Sequence, residues 1–471
     1  MKQNETVKLE MKTGKKILRE SKDVISKKAL IPFVVFVAVY LGSGILLEAQ
    51  GVEMAFYQFP APLAAAIGVI TAFILLSGTF EEKFETFIRG CGDSNILIMC
   101  IIYLLAGGFA AVCGAMGGIE STVNLGLTYI PPEYLAAGIF IISGFIATAT
   151  GTSVGSAAAV GPIAIAIAEK TGTPLPLIMG CVIGGIMLGD NLSIISDTTI
   201  ASTRTQGCEM RDKFRLNFWL TLVPAIVTVI LLVIFSPSIA VETGVHDYNL
   251  VKVLPYVAVL VTAVMGLNVF LVLVGGIIMA GVIGIFYTDL TVMTFVQSIY
   301  KGFLGMTDIF LLSMFTGGLA ELVSKAGGIS YLLHSVQKFI HGKKSAELGI
   351  SALVSITDVA LANNTVAIII NGEIAKSICY KFHIDPRRSA ALLSTFSSIF
   401  QGLVPYGAQM LIVTSFAAGK VSPLDILPYT WFLYLLGISA IISVFVPFSD
   451  GFIKKDPWNF DEGKPQSKIM K

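Results

Sequence analysis

The sequence predicts an all-α polytopic membrane protein made of two inverted repeats, each with about five transmembrane helices and one re-entrant hairpin with broken helices. Composition, long apolar segments and an internal repeat support this prediction. Of the 471 residues, 55% are hydrophobic and 13% are charged, and the mean hydropathy is +0.80. Soluble globular chains carry about 25% charged residues, and their single cores do not grow to this length. The composition therefore excludes a soluble enzyme, a nucleic-acid-binding protein and a fibrous protein.

Long apolar segments occur along the whole chain, and each can cross a hydrocarbon layer of about 30 Å. They cover residues 30–47, 61–79, 95–116, 134–168, 175–203, 217–236, 251–267, 268–287, 305–324, 347–375, 389–418 and 427–447. Two of them, 134–168 and 347–375, are too long for one crossing, and each has small polar residues near its middle. We predict a re-entrant hairpin in each, with its tip facing a cavity, because non-helical backbone inside a membrane needs protein or water to satisfy its polar groups. The tip residues are Thr152, Ser153 and Ser156 in the first hairpin and Asn363, Asn364 and Thr365 in the second.

An internal repeat relates the two halves of the chain. A Gly-Gly-Phe-Ala run at 107–110 recurs as Gly-Gly-Leu-Ala at 317–320, and Pro174 matches Pro386 at nearly the same offset. Such a repeat indicates one structural unit used twice. The predicted organisation is a cytoplasmic tail (1–28), a first repeat (29–236), an external connector (237–250), a second repeat (251–447) and a second cytoplasmic tail (448–471).

The positions of the positive charges predict the orientation of the chain. With ten spans and two hairpins starting inside, 28 of the 32 Lys and Arg residues lie on the cytoplasmic side, including those of 204–215 and 376–388. This is the bias that the positive-inside rule describes. It places 117–133 outside and its partner 325–346 inside, so the repeats are predicted to be inverted. We expect a multi-pass protein of the cell (inner) membrane with both termini in the cytoplasm, its charged start being a retained tail rather than a signal peptide.

Inverted repeats with interrupted segments are typical of secondary transporters, which bind solute and ion near the membrane midplane. A channel or an intramembrane enzyme is the alternative. The four histidines lie in or beside loops, the six cysteines have no metal-type or paired spacing, and no complete phosphate-binding loop is present. We therefore expect no catalytic activity and no cofactor, and no nucleic-acid partner.

The clearest candidate site is the stretch from Gly189 to Thr199. Its two aspartates are seven residues apart, which predicts that they share one helical face, and a charge at the bilayer centre costs about 3 kcal/mol or more. Carboxylates with hydroxyls and an amide suit a small hard cation such as Na⁺, and a buried carboxylate can take up a proton when the cation leaves. The predicted Na⁺ and proton ligands are Asp190 and Asp197, with Asn191, Ser193, Ser196 and Thr199. The alternative is that one aspartate, Asp197, caps a broken helix.

The second half offers fewer charged candidates. Asp358 lies about one and a half turns before the second tip, and it is either a hairpin site residue, a satisfied buried polar group or a partner of Lys376 or Arg388. Pro405 and Gln409 mark a break in the last long segment, where Pro405 frees a carbonyl group. This break could complete an ion or substrate site; a plain proline kink is the alternative.

These motifs resemble the NhaC-type sodium/proton antiporter family, part of the ion transporter superfamily that includes sodium-coupled dicarboxylate carriers. The resemblance is carried by the Thr-Gly-Thr-Ser-Val-Gly-Ser run at 150–156, the Gly-Thr-Pro-Leu-Pro run at 172–176 and the aspartate stretch at 189–199. The second repeat differs from the family. It has Asn-Asn-Thr at 363–365 where members commonly carry Gly-Asp-Gln, and Ser-Thr-Phe-Ser at 394–397 where they commonly carry an acidic pair.

The resemblance implies sodium-coupled secondary active transport, with Na⁺/H⁺ antiport through Asp190 and Asp197 under alternating access as the first hypothesis. The two hairpin tips would then close the site from opposite sides. Analogy with the superfamily also implies an elevator-like motion and a homodimer. The alternative is symport or exchange of an amino acid or small organic acid with Na⁺, because the second tip is similar to the Ser-Asn-Thr tips of sodium-coupled organic-anion carriers.

Overall fold

The computed structural model describes residues 25–50, 52, 58–129, 131–194, 196–235, 247–265 and 267–468. Within these ranges the chain is almost entirely helical, which confirms the all-α prediction. The described strands, β1 (Trp458–Asn459) and β2 (Lys464–Pro465), form a short antiparallel pair near the C-terminal end. Most of the predicted first tail and of the predicted connector lie outside the described residues.

The helices of the first half include one hairpin and one broken helix. They are α1 (Ile31–Ala49), α2 (Ala61–Leu75), α3 (Phe80–Cys91), α4 (Ser94–Ala115), α5 (Gly118–Tyr129), α6 (Leu135–Thr150), α7 (Ser153–Thr171), α8 (Leu175–Leu192), α9 (Asp197–Gln206) and α10 (Met210–Phe235). The hairpin is formed by α6 and α7, which are joined at Gly151 and Thr152. The break lies between α8 and α9, where the predicted aspartate stretch interrupts the helix.

The second half has a hairpin and a break in the same order. Its helices are α11 (Leu250–Val264), α12 (Val269–Tyr287), α13 (Val292–Gly305), α14 (Thr307–Lys325), α15 (Gly328–Gln337), α16 (Lys343–Leu361), α17 (Asn364–Phe382), α18 (Pro386–Leu403), α19 (Ala408–Ser415), α20 (Pro423–Ile426), α21 (Trp431–Phe445) and α22 (Gly451–Lys455). The hairpin is α16 and α17, and the break separates α18 from α19. The inverted orientation of the two halves stays a prediction.

Burial separates the central helices from the peripheral ones. Seven stretches of the described chain, or eight with one bent pair included, are long and apolar enough to cross a membrane. Leu175–Gln206 and Pro386–Ser415 hold the two breaks, and 82% and 83% of their apolar segments are buried inside the protein. The corresponding share for Met210–Phe235 is 28%. The broken helices are therefore enclosed by protein, while α10 turns most of its apolar surface outward, as a lipid-facing span does. The predicted number of ten spans stays a prediction.

Each hairpin turn is built from a left-handed residue followed by a capping residue. Gly151 (φ 69°) ends α6, and the Thr152 side chain accepts a hydrogen bond from the Gly155 backbone N–H at 3.2 Å. In the second hairpin Ala362 (φ 50°) ends α16, and Asn363 caps α17. The left-handed conformation suits glycine but costs a residue with a Cβ about 1 kcal/mol.

Close packing brings the first break against the first hairpin. A Cβ atom at Gly189, beside Asp190, would collide with the carbonyl oxygen of Gly144 on α6. Only glycine allows α8 to approach α6 this closely at that point. The glycine before the candidate carboxylate thus positions the break beside the hairpin.

Three of the cations that were counted on the cytoplasmic side are buried within the protein. The exposed fractions of Lys213, Arg387 and Arg388 are 0%, 1% and 2%. Each is in the first turns of a helix, α10 or α18, where neighbouring elements cover it. A count of charges along a sequence does not distinguish a solvated loop cation from a buried one that is paired.

Candidate functional site

A cavity of about 100 Å³ lies where the two hairpin turns meet the two broken helices. A water molecule occupies about 10–15 Å³ of such space, so the cavity has room for several waters or a small solute. The residues that line it are Ile98, Met99, Ile102, Gly151, Thr152, Ser153, Val154, Asp190, Asp197, Thr198, Ala362, Asn363, Asn364, Thr365, Gln401 and Gln409. Both hairpins and both breaks therefore contribute to one polar site.

Asp190 is the enclosed carboxylate of this cavity. It lies in the last turn of α8 and is only 3% exposed. Its Oδ2 atom accepts hydrogen bonds from the hydroxyl of Thr198 at 3.0 Å and from the hydroxyl of Ser398 at 3.2 Å. Thr198 lies on α9 and Ser398 on α18, so the carboxylate connects both halves of the molecule.

The break between α8 and α9 is held by a network of hydroxyls behind Asp190. Ser196 is the N-cap of α9, since it accepts the Thr199 N–H at 3.3 Å, and its hydroxyl donates to the Asp190 carbonyl at 3.2 Å. The Thr199 hydroxyl donates to the Ser193 carbonyl at 2.7 Å. These bonds satisfy backbone groups that the interrupted helix leaves without partners.

Lys213 completes this network from α10. Its ammonium donates to the Asn191 carbonyl at 2.7 Å and to the Thr199 hydroxyl at 2.8 Å, and it is near enough to Asp190 for the two side chains to interact electrostatically. Asn217, one turn further along α10, donates to the side-chain oxygen of Asn191 at 2.7 Å. A buried cation therefore lies directly behind the break.

Two glutamines connect the second break to both hairpin tips. The Gln401 side-chain amide donates to the Ala362 carbonyl at 3.3 Å and to the Gln409 side-chain oxygen at 2.7 Å. Gln409 in turn donates to the Ser153 hydroxyl at 2.8 Å. This chain of hydrogen bonds, which we term the glutamine bridge (Ala362–Gln401–Gln409–Ser153), links the turn of the second hairpin to the tip of the first.

The structure brings most of the predicted site residues together. Those on the cavity wall are Thr152, Ser153, Asp190, Asp197, Asn363, Asn364, Thr365 and Gln409, and those away from it are Ser156, Asn191, Ser193, Ser196, Thr199, Asp358 and Pro405. The Ser156 hydroxyl donates to the Thr152 carbonyl at 2.7 Å, within the hairpin. The hydroxyls and the amide between the two aspartates thus shape the break, while the predicted role of these residues as cation ligands stays a prediction.

The expectation of two aspartates on one helical face is wrong. The helix stops at Leu192 and restarts at Asp197, so Asp190 and Asp197 lie on different helices. Asp197 is exposed, at the open side of the cavity. The alternative that Asp197 caps a helix is also wrong, because Ser196 is the cap.

Two second-half predictions have definite structural outcomes. Asp358 is fully buried in α16, away from the cavity wall, and neither of its carboxylate oxygens has a hydrogen-bond partner among the described residues. The alternatives of a satisfied buried polar group and of a partner for Lys376 or Arg388 are therefore wrong, and Arg388 pairs with Glu347 at 3.2 Å instead. Pro405 lies in a full break between Leu403 and Ala408, so the plain-kink alternative is wrong as well.

Five residues of the site were not predicted as ligands: Thr198, Lys213, Asn217, Ser398 and Gln401. Thr198 belongs to the aspartate stretch and could have been included from its hydroxyl. Lys213 resembled a loop cation in the sequence. Ser398 and Gln401 lie more than 200 positions from Asp190, and only the packing of α18 against the first break brings them to it.

Hairpins, broken helices and an enclosed carboxylate around one cavity define a secondary active transporter. The model of the Na⁺/H⁺ antiporter family matches residues 1–237 and 240–448, and the chain belongs to this family. The protein is therefore a multi-pass membrane transporter that carries out sodium-coupled antiport, and it is not an enzyme. The predicted resemblance to NhaC-type antiporters is confirmed.

Curated relatives cover most of the chain at low identity. The Na⁺/H⁺ antiporter NhaC of Bacillus subtilis (strain 168) is 26% identical over 77% of this chain and 85% of that protein. The malate-2H⁺/Na⁺-lactate antiporter of the same organism is 22% identical over 82% and 89%. The arginine/ornithine antiporter ArcD of Halobacterium salinarum is 23% identical over 80% and 84%. Among solved structures, the Alcanivorax borkumensis YdaH transporter aligns with a TM-score of 0.41 and 12% identity, covering 78% of this chain and 89% of that one.

Proposed function

We propose that the protein exchanges Na⁺ for protons across the cell (inner) membrane with Asp190 as the shared binding group. The observation that carries this proposal is the enclosure of Asp190: it is 3% exposed and accepts two hydroxyl hydrogen bonds on the wall of the cavity. Na⁺ and a proton both require the same carboxylate oxygens. The arrival of one therefore expels the other, which couples the two movements.

The groups around Asp190 suit a small cation. The hydroxyls of Thr198 and Ser398 donate to the Asp190 carboxylate, and each also carries lone pairs that can turn toward a bound Na⁺. Hard oxygen ligands of this kind favour Na⁺ over soft metals. Asp197, exposed at the open side of the cavity, raises the local concentration of cations by its negative charge.

Alternating access follows if the two hairpins move together. The glutamine bridge links Ser153, at the start of α7, to Ala362, in the turn between α16 and α17, which favours movement of the two hairpins as one unit. We propose an elevator-like shift of this unit in a homodimer with both termini in the cytoplasm. The positive-inside bias supports this orientation, and it persists when the three buried cations are left out of the count.

The direct test is a Na⁺ jump on proteoliposomes that contain a pH-sensitive dye. We expect external Na⁺ to expel luminal protons without any organic solute, and we expect Asp190→Asn to abolish this signal. Asp289→Asn, which changes an exposed aspartate between α12 and α13, is the matched control and should keep it. A wild-type protein that moves protons only when an organic solute is present would refute direct Na⁺/H⁺ exchange.

A further inference from the structure

The cavity has groups that a Na⁺ ion does not use. Ile98, Met99 and Ile102 of α4 form an apolar side of its wall. A dehydrated Na⁺ ion needs a few oxygen ligands and gains nothing from hydrocarbon, whereas the non-polar part of an organic solute is stabilised by such contacts. The volume of about 100 Å³ also exceeds the space of a single ion.

Two helices begin at the cavity and present their N-termini to it. Ser153 starts α7 and Asn364 starts α17, and both line the wall. The Thr152 and Asn363 side chains each cap an N–H group in these first turns, at Gly155 and Val366, and the helix dipole adds partial positive charge at each end. Two such ends directed at one cavity favour a carboxylate ligand.

A buried acceptor on the same wall points independently to a ligand that donates hydrogen bonds. Gln401 is 1% exposed, and its side-chain oxygen has no hydrogen-bond partner among the described residues, although its amide nitrogen donates to Ala362 and Gln409. A buried acceptor without a donor is costly. Gln401 and Asp190 both line the cavity, so a ligand that carries an ammonium group meets two acceptors on this wall.

We propose that the cavity binds an α-amino acid as a zwitterion. Its carboxylate would lie at the helix N-termini of Ser153 and Asn364, its ammonium at Asp190 and Gln401, and its side chain against Ile98, Met99 and Ile102. The proposal rests on the proposed function, because the ammonium takes the position of Na⁺ at Asp190. Amino acid and Na⁺ then compete for one site, and the protein exchanges one for the other.

Binding to the purified full-length protein in detergent tests this assignment. The standard amino acids are added one at a time in Na⁺-free buffer, and the melting temperature is recorded beside that with each N-acetylated derivative and each 2-hydroxy acid analogue. We expect at least one amino acid to stabilise the protein, and neither analogue to do so, because one has lost the ammonium charge and the other the ammonium group. Equal stabilisation by hydroxy acids would refute the zwitterion. A protein that Na⁺ stabilises but that no amino acid stabilises would refute an organic ligand.

Two further measurements assign the site. Gln401→Met should weaken binding of the stabilising amino acid about tenfold, while Gln337→Met, on the exposed end of α15, should leave it unchanged. In the wild-type protein, rising Na⁺ should weaken amino-acid binding in proportion to its concentration. Unchanged or tighter binding would refute the shared position. Na⁺/H⁺ exchange measured without amino acid reports separately on the proposed function, so a failure of the zwitterion proposal is distinguished from a failure of the proposed function.

Discussion

In each broken helix a side-chain hydrogen bond spans the break, and it joins residues the same number of positions apart. The groups that form the bond differ between the two. In the first, the Thr198 hydroxyl donates to Asp190 at 3.0 Å; in the second, the Gln401 amide donates to Gln409 at 2.7 Å, and both pairs are eight residues apart. The first bridge contains a carboxylate and the second contains only neutral amides. The same backbone interruption therefore holds a carboxylate, the proposed ion-binding group, in one half, and connects the two hairpins in the other.

The helices that carry these breaks are also anchored differently. α18 begins with Arg387 and Arg388, which pair with acidic groups that include Asp450 and Asp456 of the C-terminal segment. α8 begins after Pro174, whose position has no side-chain cap. The first break is held instead from behind by Lys213. The second break carries no charged side chain, and the ion pairs of that broken helix lie in its first turn instead.

The largest expected effect is the difference in transport between a variant of the first break and a variant of the second. Asp190→Asn removes the group that we propose Na⁺ and the proton share, so Na⁺-driven proton movement should fall to the background of empty liposomes. Gln409→Leu removes only neutral hydrogen bonds of the glutamine bridge, and we expect less than about a tenfold loss of rate. Proton fluorescence assays on both variants give the comparison. An equal loss in the two would contradict the assignment of ion chemistry to the first break alone.

The anchor of α18 should dominate stability. Arg388 is 2% exposed and contacts Glu347 at 3.2 Å, Ser449 at 3.0 Å and Ser443 at 2.7 Å. Arg388→Ala leaves the Glu347 carboxylate buried without its cation, which costs about 3–5 kcal/mol. The fraction of protein that stays monodisperse after heating in detergent measures this effect.

An exposed ion pair provides the control for Arg388. Arg89 pairs with Glu321 at 2.9 Å but is 53% exposed. Water already solvates such a side chain, so Arg89→Ala should cost no more than about 1 kcal/mol. Similar losses in the two variants would show that burial of the α18 anchor contributes nothing.

Much of the fold followed from the sequence, because apolar length and polar interruptions are local signals. The two hairpins and the break at Asp190 were predicted from Thr152, Asn363 and the aspartate stretch alone. The site was predicted only in part. The break rotates Asp197 away from Asp190, and Ser398 reaches that carboxylate through tertiary packing; neither follows from helical periodicity. The burial of Lys213 was not predicted, because it depends on partners elsewhere in the chain.

A smaller effect is expected at the cation behind the first break. Lys213→Met keeps the length of the side chain but removes the donors to the Asn191 carbonyl and the Thr199 hydroxyl. The Asn191 carbonyl keeps its hydrogen bond from Asn217, and the Thr199 hydroxyl keeps its hydrogen bond from Ser196. The loss of the two hydrogen bonds from the charged ammonium still costs about 1.5–3 kcal/mol, which lowers the melting temperature. Lys338→Met, at an exposed position after α15, should melt like the wild type. A Lys213→Met protein as stable as the wild type would mean that the hydrogen bonds of Lys213 do not stabilise the break.

The hydrogen bond across the first break should tune Na⁺ binding. Thr198→Val removes one of the two hydroxyls at Asp190, a bond to a charged group worth about 1.5–3 kcal/mol. We expect the Na⁺ concentration for half-maximal exchange to rise about tenfold or more, with the maximal rate less affected. Thr262→Val, whose hydroxyl donates only within α11, is the control. An unchanged Na⁺ dependence would exclude Thr198 from the ion site.

The smallest effect concerns the acidic groups that hold the start of α18. The backbone N–H and hydroxyl of Ser467 donate to Asp456, at 2.9 and 2.8 Å, and with Arg387 nearby they hold the pKa of this carboxyl below its ordinary value of 3.8. A carboxyl whose pKa is lowered by folding stabilises the folded state above that ordinary value, and this contribution disappears as the pH falls below it. Wild-type protein should therefore lose slightly more thermal stability than Asp456→Asn when the pH is lowered through about 4, and the two should melt with a constant difference between pH 6 and 8. A parallel loss of stability in both proteins down to pH 3 would show that this carboxyl does not help to anchor the second broken helix.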